Sequence, residues 1–290
     1  MKSTLFLCSL TLLALLSAPS ALARGLGIIG GALAESGKGC AMDQLRGFSA
    51  CPPHLAINWR DLGRLSVVFG HQSVGNNLLG GVERLAAWDG ARVTIREQRK
   101  GPALPGINHF PIGRNGDPAS KILDFAAALD AGAAQGADMA LMKLCYADFN
   151  AGTDAKQVAE QYITSLETLA QRYPNTRFVA VTTPLKAVQT GPKAWAKRLL
   201  GQLPSGYLDN ARRGEFNTHL RTHYLASGRL FDLARAESDA MGECCKIQVE
   251  GHEVEALNPA LTDDGGHLNE RGQALVGTAF LNFVSTMVAR

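Results

Sequence analysis

The sequence predicts an α/β chain: a three-layer α/β/α sandwich around a central parallel sheet of five strands. Short apolar runs alternate with longer stretches of helical periodicity, which implies a parallel sheet covered on both faces. Right-handed crossovers then place helices on either side of that sheet. Polar residues also follow the ends of three apolar runs, at Gly70 to Ser73, Asp148 and Thr182-Thr183. Ligands on such sheets bind beyond the carboxyl ends of the strands, so these residues should share one rim.

The elements follow in order. Residues 65–69 (LSVVF) form the first strand, and 76–88 a helix with Leu78, Leu79, Val82 and Leu85 on one face. Residues 91–95 (ARVTI) are the second strand. Residues 118–134 read as a helix, with Asp117 as N-cap and Pro118 in the first turn. A third strand spans 139–145, and an amphipathic helix 154–173 carries Val158, Tyr162, Leu166 and Leu169. The fourth strand covers 177–183, a helix 208–226, the fifth strand 229–233 and a last helix 269–288. Two segments fall outside the alternation. Residues 186–207 (KAVQTGPKAWAKRLLGQLPSGY) read as an inserted lid rather than a membrane-surface segment, being short and broken by Gly and Pro. Residues 246–257 (KIQVEGHEVEAL) read as a hairpin turning at Gly251, a second candidate lid.

The N-terminus reads differently. Met1-Lys2, an apolar run from Leu5 to Leu16 and Ala21-Leu22-Ala23 have the pattern of a secretory signal peptide over 1–23. The run is short against the roughly 20 residues that span a bilayer. Export to a periplasm or beyond the cell is the expectation, with no stable membrane insertion after cleavage. Residues 24–60, rich in Gly and Pro, are an extension before a domain over 61–290. A net charge of +3 on 290 residues gives no reason to expect nucleic acid.

Export permits disulfides. Cys40 and Cys51 flank a short loop and are the natural pair, while Cys145 ends an apolar run and reads as a buried thiol. A Cys244-Cys245 bridge would be strained, because adjacent Cα atoms lie about 3.8 Å apart and disulfides need about 4.4–6.8 Å. Cys244, Cys245, His252, Asp264 and His267 match no zinc spacing, so no metal or other cofactor is expected.

The chemistry centres on VVFGHQSVGNN (67–77) and LTDDGGHLNERG (261–272). A serine hydroxyl needs a base, and the base an orienting carboxylate. Ser73 follows the first strand. Asp264 and His267 stand three apart in a Gly-rich loop that lets the acid reach Nδ1, leaving Nε2 for Ser73. Asp263 is the competing acid, and spacing favours Asp264.

A serine after the first strand with Asp-x-x-His before the last helix resembles the SGNH (GDSL-type) hydrolases, whose sandwich is flavodoxin-like. The α/β-hydrolases place serine in Gly-x-Ser-x-Gly with Asp and His far apart, which fits less well. Gln72-Ser73 also looks like the Gly-Gln-Ser opening of acetylesterases in that superfamily. The resemblance covers about residues 64–288. It nominates the Gly116 backbone N–H, within Arg114-Asn115-Gly116-Asp117, for an oxyanion hole. Where the family has Gly-x-Asn-Asp, this chain has Cys145-Tyr146-Ala147-Asp148, so the donor Asn is missing. Losing one such donor typically removes about 2.7–4 kcal/mol of transition-state stabilisation. Asn76, Asn77 and Asn150 are replacement candidates, Asn76 first because it stands three residues after Ser73. His71 and Gln72 contact substrate or hold the serine loop, the latter being favoured. Asp148 contacts substrate or caps the following turn.

The resemblance implies an exported, cofactor-free serine esterase acting through an acyl-enzyme, on small acyl groups carried by a carbohydrate or another small molecule. The alternatives are a lipid esterase or thioesterase of the same fold, and a non-catalytic glycan-binding relative.

Overall fold

In a computed structural model of the chain, the structure describes residues 58–239 and 245–288. The proposed signal peptide, most of the extension and the Cys40–Cys51 and Cys244–Cys245 questions lie outside those residues.

A one-turn helix α1 (Trp59–Leu62) leads into β1 (Ser66–His71) and α2 (Ser73–Trp88). Then come β2 (Ile95–Glu97), β3 (Gly106–Pro111), α3 (Pro118–Ala128), β4 (Met139–Met142), α4 (Ala155–Arg172) and β5 (Arg177–Val181). The chain continues through α5 (Gly191–Leu199), α6 (Tyr207–Tyr224), β6 (Leu230–Phe231) and α7 (Leu233–Ser238). It ends with the hairpin β7 (Lys246–Val249) and β8 (His252–Glu255), and α8 (Glu270–Val288).

The sheet order is β2-β3-β1-β4-β5-β6, and every pair is parallel. It therefore has six strands, not the five expected. The additional strand is β3, beside β1 in the middle of the sheet, and the second strand sits at 95–97 rather than 91–95. GINHFP lacks an apolar run because Asn108 and His109 interrupt it. The sheet accepts Asn108 because its buried amide donates to the carbonyls of Val67 (3.2 Å) and Leu104 (2.7 Å).

Side chains alternate across each strand, as a period of two requires. Val68, Phe110 and Ala140 face α3, α4 and α6, packing with Phe125, Tyr162, Leu166 and Phe216. Val67, Phe69, Ile107 and Leu141 face α2 and α8, packing with Leu78, Val82, Val276 and Phe280. Asp117 caps α3 by accepting from Ser120 N–H at 3.0 Å, as expected. The 246–257 hairpin also forms, turning through Glu250 and Gly251 at positive φ.

One packing contact decides where the site sits. A Cβ on Gly81 of α2 would lie 2.0 Å from the Gln273 carbonyl oxygen, and one on Gly277 of α8 2.8 Å from the Gly81 carbonyl carbon. Only glycine allows this approach. Asn77 meets Leu268, and Gly81 meets Gln273 and Gly277, so the two helices run in the same direction. Their N-terminal ends share one end of the molecule.

Candidate active site

β1 ends at His71, and α2 begins at Ser73 with Gln72 as N-cap. The Gln72 side chain does not cap the helix. Its amide donates instead to the carbonyls of Ile112 (2.7 Å) and Gly113 (3.1 Å), clamping the serine turn to the strand end beside it. The first-turn N–H groups of α2 therefore have no side-chain cap. Such groups carry the partial positive charge that favours an anion. Ser73 is half-buried, and its hydroxyl makes no hydrogen bond among the described residues.

His71 is buried behind that turn. Its Nδ1 lies 3.0 Å from the Gln72 carbonyl and its Nε2 3.0 Å from Nδ1 of His109. A carbonyl only accepts, so Nδ1 of His71 carries the proton and Nε2 accepts one from His109. Both ring nitrogens of His71 are taken, so His71 holds the serine loop; Gln72 holds it through its amide nitrogen, and its side-chain carbonyl has no hydrogen bond among the described residues. Burial pushes the His71 pKa down to about 3, and the Lys143 and His109 charges add to the effect against the opposing Gln72 carbonyl. The unfolded chain binds this proton near pH 6.5. The stability that neutral His71 supplies is thus complete above about pH 6.5 and declines as pH falls toward 3. The slope is at most about 1.4 kcal/mol per pH unit. Urea unfolding between pH 7 and 4 should show that slope in the wild type and a flatter one in His71→Gln.

The second half of the site precedes α8. Nδ1 of His267 lies 2.6 Å from Oδ2 of Asp264. Oδ1 of Asp264 accepts from the N–H groups of His267 (2.7 Å) and Gly266 (2.8 Å). The His267 side chain first, then these two N–H groups, hold the Asp264 pKa well below the usual carboxylate range. Asp263 points elsewhere and accepts from the Asn269 amide at 3.3 Å. The loop is tied to the serine helix by Leu268 N–H, which donates to Oδ1 of Asn77 at 3.2 Å. Asn77 lies one helical turn beyond Ser73, and Leu268 follows His267. Nε2 of His267 lies 3.4 Å from the hydroxyl of Tyr146 and makes no hydrogen bond to Ser73.

The loops expected to form the oxyanion hole are bound to each other. Gly116 N–H donates to Oδ1 of Asp148 at 2.9 Å, so it is not free to receive an oxyanion in this structure. Asp148 is buried and also accepts from Cys145 N–H at 2.7 Å. Both its oxygens lie 2.7 Å from Nζ of Lys121, which donates as well to Oδ1 of Asn115 at 2.9 Å. With every acceptor direction used, Asp148 does not reach substrate; it fastens the 113–117 loop to the 145–149 turn. Lys121→Met should strand a buried carboxylate and cost roughly 3–5 kcal/mol, measurable as a lower denaturant midpoint. Ala147 is exposed, and Asn76 is exposed with no side-chain hydrogen bond among the described residues.

Tyr146, Lys121 and His109 escaped the sequence reading of the site, and Asn77 was named there only as an oxyanion donor, not as the tie to Leu268. Tyr146 stood next to the substituted Ala147, and the Asn76-Asn77 pair was visible but resolved in favour of Asn76. Nothing along the chain distinguishes Lys121 from a surface lysine. Among the described residues no group of three His, Cys, Asp or Glu could hold a metal ion. Cys145 is a buried free thiol.

No family model matches the sequence, and no curated protein matches it. Among solved structures, the chain is similar to a GDSL-like lipase from Bacteroides thetaiotaomicron, at 12% identity and a TM-score of 0.46, over 77% of this chain and 87% of that one. It is similar to the psychrotrophic esterase EstA from Pseudoalteromonas sp., at 11% identity and a TM-score of 0.44, over 78% and 100%. A third is the periplasmic domain of a lipopolysaccharide acetyltransferase from Salmonella ser. Paratyphi A, at 11% identity and a TM-score of 0.42, over 79% and 85%. At that level, likeness carries no argument about chemistry, and the site residues stand on their own geometry.

Proposed function

We propose that this chain is an exported serine esterase of SGNH type, with Ser73 as nucleophile, His267 as base and Asp264 as orienting acid. The 2.6 Å contact between Asp264 and Nδ1 of His267 carries this reading, because it aims Nε2 away from the acid. The tie from Leu268 to Asn77, one turn from Ser73, supports it. His267 takes the Ser73 proton, Ser73 attacks the ester carbonyl, and His267 returns the proton to the leaving alcohol before activating water. Catalytic hydrogen bonds are often long in unliganded sites, so Nε2 would exchange Tyr146 for Ser73 when substrate arrives. The oxyanion would rest on Ser73 N–H at the uncapped helix start, with the Asn76 amide as side-chain donor. The half-exposed dyad suits small acyl groups on a bulky or soluble alcohol, a carbohydrate among them.

One observation favours a second reading. Ala147 replaces the family's donor Asn, and Gly116 N–H is committed to Asp148. A non-catalytic glycan-binding protein with an eroded site would show both features. A fluorophosphonate probe separates the two. The esterase reading expects one phosphonyl adduct per chain, on the peptide containing Ser73, and its absence from the folded protein would leave the binding reading.

A further inference from the structure

The 186–207 insertion has no role in the catalytic reading, and its surface is unusual. Trp195 is 64% exposed, Leu199 65%, Leu200 74% and Leu203 38%. Ala194 is buried and so marks the inward side of α5. At 3.6 residues per turn, the opposite side carries Trp195, Ala196, Leu199 and Leu200. Lys193 and Lys197 border this apolar face on one side and Arg198 on the other. With Lys186 the insertion holds four cations and no Asp or Glu.

We propose that α5 and its flanks are a docking surface for an anionic lipid bilayer. Leucines and a tryptophan facing outward between cations are what an interfacial helix requires: the apolar side enters the headgroup boundary and the cations meet lipid phosphates. The charge identifies the occupant. A second copy of this chain would set the same cations against each other, whereas an anionic surface complements them.

The docking surface adjoins the proposed catalytic loop. Ala187 N–H donates to the Gly265 carbonyl at 2.9 Å. Nζ of Lys186 lies 5.3 Å from the centre of the Tyr146 ring, whose hydroxyl is the one beside His267. A bilayer held by α5 would bring surface-borne esters near His267, a consequence that rests on the esterase reading; the docking itself does not.

Flotation of the full chain with vesicles tests this. Vesicles containing phosphatidylglycerol should carry about ten times more protein than pure phosphatidylcholine vesicles, and salt should weaken the binding. The double variant Trp195→Ser with Leu199→Ser, and separately Lys193→Glu with Lys197→Glu, should each lose about tenfold. Hydrolysis of a soluble nitrophenyl ester should be unchanged in both. Equal binding to the two lipids, no binding, or wild-type binding by either variant would overturn the proposal. So would a dimer in lipid-free solution that the Trp195 and Leu199 changes dissociate. Binding without hydrolysis by the wild type would refute only the esterase reading.

Discussion

Ser73→Ala is expected to lower hydrolysis of short-chain nitrophenyl esters by on the order of 10⁶ in kcat, because residues of a triad act as a unit. The magnitude follows from what alanine removes. Without a hydroxyl no acyl-enzyme forms, and only water positioned by the remaining groups can attack. The fold should not suffer. Ser73 is half-buried and its hydroxyl makes no hydrogen bond among the described residues, so the change should stay within about 0.5 kcal/mol of wild-type stability. Equal denaturation midpoints beside a collapsed rate would assign the loss to chemistry. A Ser73→Ala enzyme that still turns over at the wild-type rate would remove Ser73 from the mechanism.

The elements most legible in the sequence were those whose burial follows a period. The helices over 118–134 and 154–173 stand out because one face of each is apolar, and Asp117 and Asp154 cap them as short acceptors do. β3 was illegible for the opposite reason. Its central Asn108 and His109 are polar, and what buries them is a set of partners on β1 and in the 104–105 turn, which only the fold brings together. The polar interior behaves alike. Lys121 and Asp148 stand 27 positions apart and look like surface residues until they are paired with no exposure at all. That pairing explains why two motif-based expectations, for Gly116 and Asp148, do not fit this structure. The motif specifies residue types after strand ends, but the acceptor that takes the Gly116 and Cys145 N–H groups is the Asp148 carboxylate, held in place by a lysine on the next helix. Asp264 and His267 were legible because their whole interaction is local: three residues, two glycines and one loop.

Asp264→Asn is the second large effect, expected at about 10⁴ in kcat. An asparagine can keep much of the loop. Its carbonyl oxygen can still accept from His267 N–H and Gly266 N–H, as Oδ1 of Asp264 does. The other arm becomes an amide, which donates where Oδ2 accepted. Nδ1 of His267 must then be the bare nitrogen, and Nε2 carries the proton. A protonated Nε2 cannot take the proton of Ser73, and no negative charge remains to steady the imidazolium. Hydrolysis should therefore fall about ten-thousandfold while the denaturation midpoint changes little, since the carboxylate is exposed. Asp263→Asn supplies the control. Among the described residues Asp263 accepts only from the Asn269 amide, and its conversion should leave the rate within about twofold of wild type. A large loss in the Asp263 variant with none in the Asp264 variant would transfer the orienting role to the neighbouring acid and show that the loop rearranges before it acts.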